Sequence, residues 1–169
     1  RPELQDLQSV RNAAFLKPLG RFSPWIEKQV ELCRILKERY GSECMIFYNL
    51  FSPARYIEFR HSGADATSVI VQFMQEDPEA LKHVLDVIAE DIACLVKAVI
   101  ADGGADGIYL SVQNIPDAEM TREKYDTFIA PSELKVLEAA NEVSNDNLLH
   151  ICGYLGCSND LTWYADYPF

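Results

Sequence analysis

From position 147 to position 154 the chain reads NLLHICGY, a short apolar run that ends in a glycine turn. This pattern predicts a buried strand, and side chains along a strand alternate between its two faces. His150 and Cys152 therefore point to one face, about 6 to 7 Å apart along the strand. Leu149 and Ile151 point to the other face, which is aliphatic and is expected to pack against helices.

The imidazole and thiol on one strand allow two interpretations. Histidine and cysteine are both good zinc ligands, and a catalytic zinc site typically takes three protein ligands and keeps one position open. The alternative is a buried histidine with a single hydrogen bond beside a small apolar cysteine. Cys157, further along the same loop, would complete a metal site, although loop cysteines are often bystanders. Local chemistry leaves these alternatives open.

The length and the net charge of the chain limit the classes of protein to which it can belong. A chain of 169 residues is expected to form one domain over positions 1–169. The net charge of −11 argues against nucleic acid and against an anionic membrane surface, because both select a basic face. It leaves room for an anionic small molecule. The absence of a signal peptide and of a membrane-spanning run, together with five scattered cysteines, predicts a cytoplasmic protein.

Helix-like and strand-like segments alternate along the chain. Caps, prolines and apolar periodicity predict helices in six segments: 24–40, 53–60, 66–75, 78–102, 121–129 and 131–143. Continuous apolar runs at 44–50 and 107–112 predict two more strands, each covered on both faces. Asp160 is expected to cap a short turn in the aromatic-rich end of the chain. The alternation predicts an α/β fold with a parallel sheet, either open or closed as a barrel.

Polar side chains follow each predicted strand. In parallel α/β folds the site lies at the carboxyl ends of the strands, and the residues found there are Asn49, Ser52, Ser111, Gln113, His150 and Cys152. Arg55 could also face this mouth and bind a carboxylate. The alternative for Arg55 is a surface arginine that pairs with Glu58 or Asp65.

Three segments together resemble the uroporphyrinogen decarboxylase superfamily: FYNLFSP at 47–53, GADGIYLSVQ at 104–113 and LHICG at 149–153. The motif FIAP at 128–131 also fits, and the resemblance covers about 23–169. It implies a (β/α)8 TIM barrel with a deep mouth at the strand carboxyl ends. Since a full barrel takes about 250 residues, the chain is expected to be a central fragment, a partial barrel in which parallel strands alternate with helices.

The resemblance implies two chemistries. Decarboxylases of the family remove acetate-side-chain carboxyls of a porphyrinogen without a cofactor. Methyltransferases of the family move methyl groups between corrinoid proteins and thiols, and bind zinc through a His-x-Cys pair and a distant third cysteine. His150 and Cys152 match that pair residue by residue, and the third ligand would lie beyond Phe169.

Several positions depart from the decarboxylase pattern. That branch has a tyrosine where this chain has Phe59, although Tyr56 is near, and it has Asp-Ser where this chain has Val112-Gln113. Its essential aspartate would lie upstream of Arg1. Zinc-assisted methyl transfer to a thiol is therefore the better match. Porphyrinogen decarboxylation and a non-catalytic binding module are the alternatives.

The resemblance and the strand ends together assign roles to particular residues. His150 and Cys152 are predicted zinc ligands, with no other cofactor; the predicted catalytic residues lining the mouth are Asn49, Ser111 and Gln113, and the predicted substrate-binding residues are Ser52, Arg55 and Tyr56. The expected partner is a tetrapyrrole or a corrinoid-linked substrate. A partial barrel also leaves sheet edges open, which predicts a homo-oligomer or covering loops, and the isolated chain is expected to be inactive.

Overall fold

The computed structural model describes residues 15–59, 68–113, 115, 117, 119–152 and 160–169. In this part of the chain three parallel strands form one sheet in the order β1-β2-β3: β1 is Phe47–Phe51, β2 is Gly107–Val112 and β3 is Leu148–Ile151. The α/β class and the parallel arrangement predicted from the sequence are confirmed.

Helices separate the strands. Their bounds are α1 Pro24–Tyr40, α2 Pro53–Glu58, α3 Val69–Glu76, α4 Pro78–Ala101, α5 Arg122–Phe128 and α6 Ala130–Asn141, and a single 3₁₀ turn spans Leu161–Tyr164. No helix in the described segments is both long and apolar enough to cross a membrane.

Several helix ends follow the sequence signals. The side chain of Asp77 accepts a hydrogen bond from the amide of Ala80 at 3.1 Å and so caps α4. Asp160 caps the 3₁₀ turn as predicted, because its carboxylate accepts from the amide of Thr162 at 3.0 Å. Ser23 occupies the N-cap position of α1 and is followed by proline at the first helical position, although its side chain makes no capping hydrogen bond.

The core lies between the helices and one face of the sheet. Helix α4 packs against α6 and α1, and its inward stripe is buried along its whole length. The largest fully buried side chains of this layer include Leu81, Leu85, Leu95, Ile108 and Leu110. Burial of each such side chain contributes about 1.5 to 3 kcal/mol, so this contact holds the sheet in place.

The first strand begins later than its apolar run predicts. The run starts at Cys44, whose amide still bonds to the carbonyl of Tyr40 at the exit of α1. The carboxylate of Asp106 then accepts from the amide of Ile46 at 2.7 Å, and pairing with β2 begins at Phe47 opposite Gly107. The start of β1 is therefore set by its hydrogen-bonded pairing with β2 and not by the start of the apolar run.

The sheet face that points away from the core is partly exposed. The sequence predicted that β1 and β2 are covered on both faces, yet Asn49 on β1 is exposed. Leu148 on β3 is exposed as well. The prediction is wrong for β1, whereas β2 is buried at five of its six residues and agrees with it. This asymmetry leaves a surface of strand side chains that face away from the core.

Candidate functional site

The strand register divides the side chains of the sheet between two faces. Partners in neighbouring strands point to the same side, and successive residues alternate. The face away from the helices, which we call the open face, carries Asn49, Phe51, Tyr109, Ser111, Leu148 and His150. Leu149 and Ile151 pack against the core from the other side, as the alternation predicted.

His150 lies at the centre of the contacts on this face. It pairs in register with Ser111, which is buried. Its ring stacks on the ring of Tyr109, with centroids 5.2 Å apart and planes 26° from parallel. Tyr109 was not among the residues predicted from sequence. It lies two residues before Ser111 on the same strand, so the alternation of side chains places it on the same face and would have been enough to predict it.

Cys152 extends the alternation of β3. Its backbone amide donates a hydrogen bond to the carbonyl of Val112 at 2.8 Å, so the ladder continues past Ile151. Two-residue periodicity then directs the thiol to the open face beside His150. No disulfide joins two cysteines of the described residues.

The donor set available for a metal is therefore one imidazole and one thiol. These are suitable zinc ligands, and a catalytic zinc site takes a third from the protein. No group of three or more histidine, cysteine, aspartate or glutamate side chains able to hold a metal occurs among the described residues. Cys157, the candidate third ligand within this chain, lies outside them. The two residues fit part of a catalytic site and do not by themselves complete one.

Asn49 and Gln113 contribute polar groups near the strand ends. Asn49 is exposed on the open face, whereas Gln113, directly after β2, is 3 % exposed. The Oε1 atom of Gln113 is buried and accepts no hydrogen bond from the described residues. An acceptor left in this way costs roughly 1 to 3 kcal/mol, and a donor on a bound substrate would recover that energy.

The three predicted substrate-binding residues are engaged elsewhere. The hydroxyl of Ser52 faces Glu133, on the helical side of the sheet. The guanidinium of Arg55 pairs with Glu58 and lies 4.8 Å from the ring centroid of Phe59. Tyr56 is half-buried, and burial raises the pKa of its phenol. Their substrate-binding roles stay predictions, and the pairing of Arg55 with Glu58 matches the surface alternative.

A buried carboxyl cluster lies behind the strand ends. Glu133 in the first turn of α6 is fully buried, and its Oε2 accepts hydrogen bonds from Tyr125 at 2.9 Å and Tyr167 at 2.7 Å. The hydroxyl of Tyr125 also contacts that of Tyr164 at 3.1 Å. Oε1 has no partner with full hydrogen-bond geometry in the described chain, although the Ser52 hydroxyl is close enough to favour the charged carboxylate.

Burial raises the pKa of Glu133 to about 7, and the hydrogen bonds from Tyr167, Tyr125 and Ser52 oppose that rise. The carboxyl therefore changes charge near neutral pH. The sequence did not predict a role for Glu133, because a glutamate in the first turn of a helix is usually solvent-exposed and interacts with the helix dipole. Its tyrosine partners come from α5 and from the distant end of the chain, and no local pattern connects them.

A separate cleft of about 300 Å³ opens between α4 and the α5–α6 region. Lys82 lies in it with its Nζ atom 5.1 Å from the ring centroid of Phe128. Asp86, which also lines the cleft, pairs with Lys135. The cleft belongs to the helical layer, so we place the candidate site at the open face and not here.

The fold and the site define an α/β protein with a parallel sheet and a His-x-Cys pair at the carboxyl end of one strand. The family model of uroporphyrinogen decarboxylase (URO-D) matches residues 2–162. The chain therefore belongs to the uroporphyrinogen decarboxylase family, which confirms the resemblance found in the sequence.

Two curated relatives carry the name methylcobamide:CoM methyltransferase MtbA. The protein from Methanosarcina mazei is 27 % identical over 150 residues, which cover 89 % of this chain and 41 % of that protein. The protein from Methanosarcina acetivorans is 27 % identical over 124 residues, which cover 73 % of this chain and 35 % of that protein. The chain thus spans about two fifths or less of the length of these relatives.

Proposed function

We propose that the chain forms part of a barrel enzyme of this family in which His150 and Cys152 hold a zinc ion for methyl transfer to a thiol. The observation that carries the proposal is the position of both residues on one face at the carboxyl end of β3. Two relatives named as methylcobamide:CoM methyltransferases support the same reading. The open face would be part of the barrel interior, with strands outside this segment completing it.

Each residue would contribute through its protonation state and position. A bound zinc ion would lower the pKa of a coordinated substrate thiol, so that the thiolate is available as the nucleophile. His150 would bind through a neutral ring nitrogen and Cys152 through its thiolate. Both ligands must lose a proton to bind, so metal affinity should fall as pH falls.

The remaining polar groups would orient a corrinoid-linked methyl donor or the thiol. Ser111 lies beside His150 in the register, and Asn49 is exposed on the same face. The buried Oε1 of Gln113 accepts no hydrogen bond from the described residues, and an amide or hydroxyl group of a substrate can supply the donor. A corrinoid ring carries such amide groups at its periphery.

The deciding experiment measures metal content and methyl transfer in the whole protein. Zinc per protein would be measured for the wild type, His150→Ala and Cys152→Ser, and methyl transfer from methylcobalamin to a small thiol would be followed by absorbance. We expect both variants to lose zinc and activity while remaining folded, since no closed structural site is proposed. Cys44→Ser is the matched control, because Cys44 is exposed before β1. A metal-free wild type that still transfers methyl groups would refute the proposal.

Porphyrinogen decarboxylation is the second candidate, and the family model's own description favours it. Phe59 and the Val112-Gln113 pair depart from the decarboxylase pattern. The same preparation can be incubated with a porphyrinogen, and release of carbon dioxide without added metal would select this reading. A protein inactive in both assays and free of zinc would instead be a binding module.

Location and assembly complete the proposal. A cytoplasmic protein fits the absence of a disulfide between cysteines of the described residues. Among the described strands, β1 and β3 each pair on one side only, and a homo-oligomer is one way to cover such edges. Sedimentation of the whole protein at micromolar concentration tests the assembly.

A further inference from the structure

The stack between Tyr109 and His150 connects two different strands of the open face. Tyr109 pairs in register with Leu148, and His150 lies two residues further along β3. The two rings therefore meet across a diagonal of the sheet, a distance that aromatic side chains span. Ser111, the direct register partner of His150, is small enough to leave this space to the rings.

We propose that Tyr109 is the positioning residue for His150 and that its ring sets the plane in which the imidazole presents a nitrogen to the metal. This inference rests on the proposed zinc site. The centroid separation of 5.2 Å and the angle of 26° are those of an offset stack, which restrains rotation of the smaller ring.

Other restraints on this ring are few. Histidine ligands commonly gain their orientation from a hydrogen bond to the second ring nitrogen. The described part of the chain contains no hydrogen bond to a ring nitrogen of His150, so there the stack is the contact that orients the ring. Leu148, two residues before His150 on the open face, is 43 % exposed and offers little confinement. Within the described residues both nitrogens are therefore open to a metal, and the stack decides the direction in which they point.

The ring and the phenol group of Tyr109 can be separated by substitution. Tyr109→Phe keeps the stacking ring, whereas Tyr109→Leu removes it and keeps an apolar side chain. The stabilisation expected of an aromatic pair corresponds to about a two- to tenfold change in an equilibrium constant. We therefore expect zinc affinity to fall about two- to tenfold in Tyr109→Leu and to stay at the wild-type value in Tyr109→Phe.

The test uses the whole protein with zinc and cobalt(II) as probes. Zinc affinity would be measured by competition with a chelator, and the visible spectrum of the cobalt(II) form would report ligand geometry. Leu148→Ala is the control for a neighbouring apolar side chain, because it removes the register partner of Tyr109 and keeps both stacked rings. Tyr109→Val is the second ring-free variant, since a β-branched residue suits a strand if Tyr109→Leu folds poorly.

The outcomes separate this inference from the proposed function. A wild type that binds zinc with an affinity unchanged in the ring-free variants overturns the inference and leaves the zinc site standing. A loss in Tyr109→Phe equal to that in Tyr109→Leu also overturns it, because the phenol and not the ring would then act. A wild type that binds no zinc overturns both. In apo protein, an upfield shift of the His150 ring protons that persists in Tyr109→Phe and disappears in Tyr109→Leu is the result expected from the stack.

Discussion

The backbone amide of Ser52 donates a hydrogen bond to the carbonyl of Ser111 at 2.9 Å, which joins the carboxyl ends of β1 and β2. The hydroxyl of the same serine faces the carboxyl of Glu133. Ser52 thus contacts the end of the sheet through its backbone and the buried tyrosine cluster through its side chain. A change of charge at Glu133 takes place directly behind the strand ends that carry the candidate site.

Glu133 should make stability depend on pH in a definite direction. Its pKa is about 7 in the folded protein, against an ordinary value of 4.5. The folded state therefore holds the proton more tightly, and the stabilisation is complete below pH 4.5 and is lost as pH rises to about 7. Glu133→Gln stays uncharged, so between pH 4.5 and 8 the difference in free energy of unfolding should move by roughly 3 kcal/mol in favour of the variant.

Denaturant unfolding of the whole protein at several pH values measures this difference. Glu138→Gln is the matched control, since Glu138 lies on the same helix and is exposed. Parallel pH profiles for the wild type and Glu133→Gln would show that the carboxyl is charged throughout the range, contrary to this prediction.

Gln113 should show opposite effects on stability and on activity. Gln113→Met keeps a similar shape and removes the buried amide oxygen, which has no hydrogen-bond partner among the described residues. The free energy of unfolding should stay the same or rise, by up to about 3 kcal/mol, while kcat/KM for methyl transfer falls about tenfold because the substrate loses an acceptor worth roughly 1.4 kcal/mol. Chemical denaturation and steady-state kinetics give the two quantities.

The control for Gln113 is Gln72→Met, which makes the same replacement on the exposed side of α3. If Gln113→Met loses stability as well as activity, the amide has an internal partner and its role is structural.

Asn147 should be the main polar anchor of β3. Its Oδ1 accepts from the amide of Ile108 at 3.1 Å, and its Nδ2 donates to Asn141 at 2.8 Å and to the carbonyl of Ser144 at 2.9 Å. Asn147→Ala removes three hydrogen bonds at a buried position, so we expect a loss of about 3 kcal/mol. Thermal and denaturant unfolding measure it.

Asn145→Ala is the comparison, because Asn145 precedes the same strand and is exposed. Equal effects of the two alanine variants would mean that the hydrogen bonds of Asn147 add nothing to its stability.

Local patterns predicted the parts of the fold that depend on neighbouring residues. The alternation around His150 predicted which side chains pack on the helices, and Asp77 and Asp160 marked the starts of a helix and a turn. The start of β1 was not predictable in this way, because it depends on Asp106 holding Ile46 across the sheet. The apolar composition of the run does not predict this contact between residues 60 positions apart.

The same distinction between local and long-range contacts separates the site residues that could be predicted from those that could not. The His-x-Cys pair is visible as a two-residue spacing, and Tyr109 has the same parity on a neighbouring strand. Glu133 depends on Tyr167, which is 34 positions away, and nothing local distinguishes it from a solvated acid. Arg55 was assigned to a mouth by its place after a strand, whereas its charge is paired with Glu58 within its own helix.

The strands lie in the sheet in the same order as in the chain. Each new strand can therefore dock on the edge of the one made before it, and no strand has to wait for a later one to fill a gap during synthesis on the ribosome. β2, which carries Tyr109, is synthesised before β3, which carries His150. In that order, the proposed ligands His150 and Cys152 are added next to an edge whose sequence already includes Tyr109, so any metal they hold could bind only after β3 has been made.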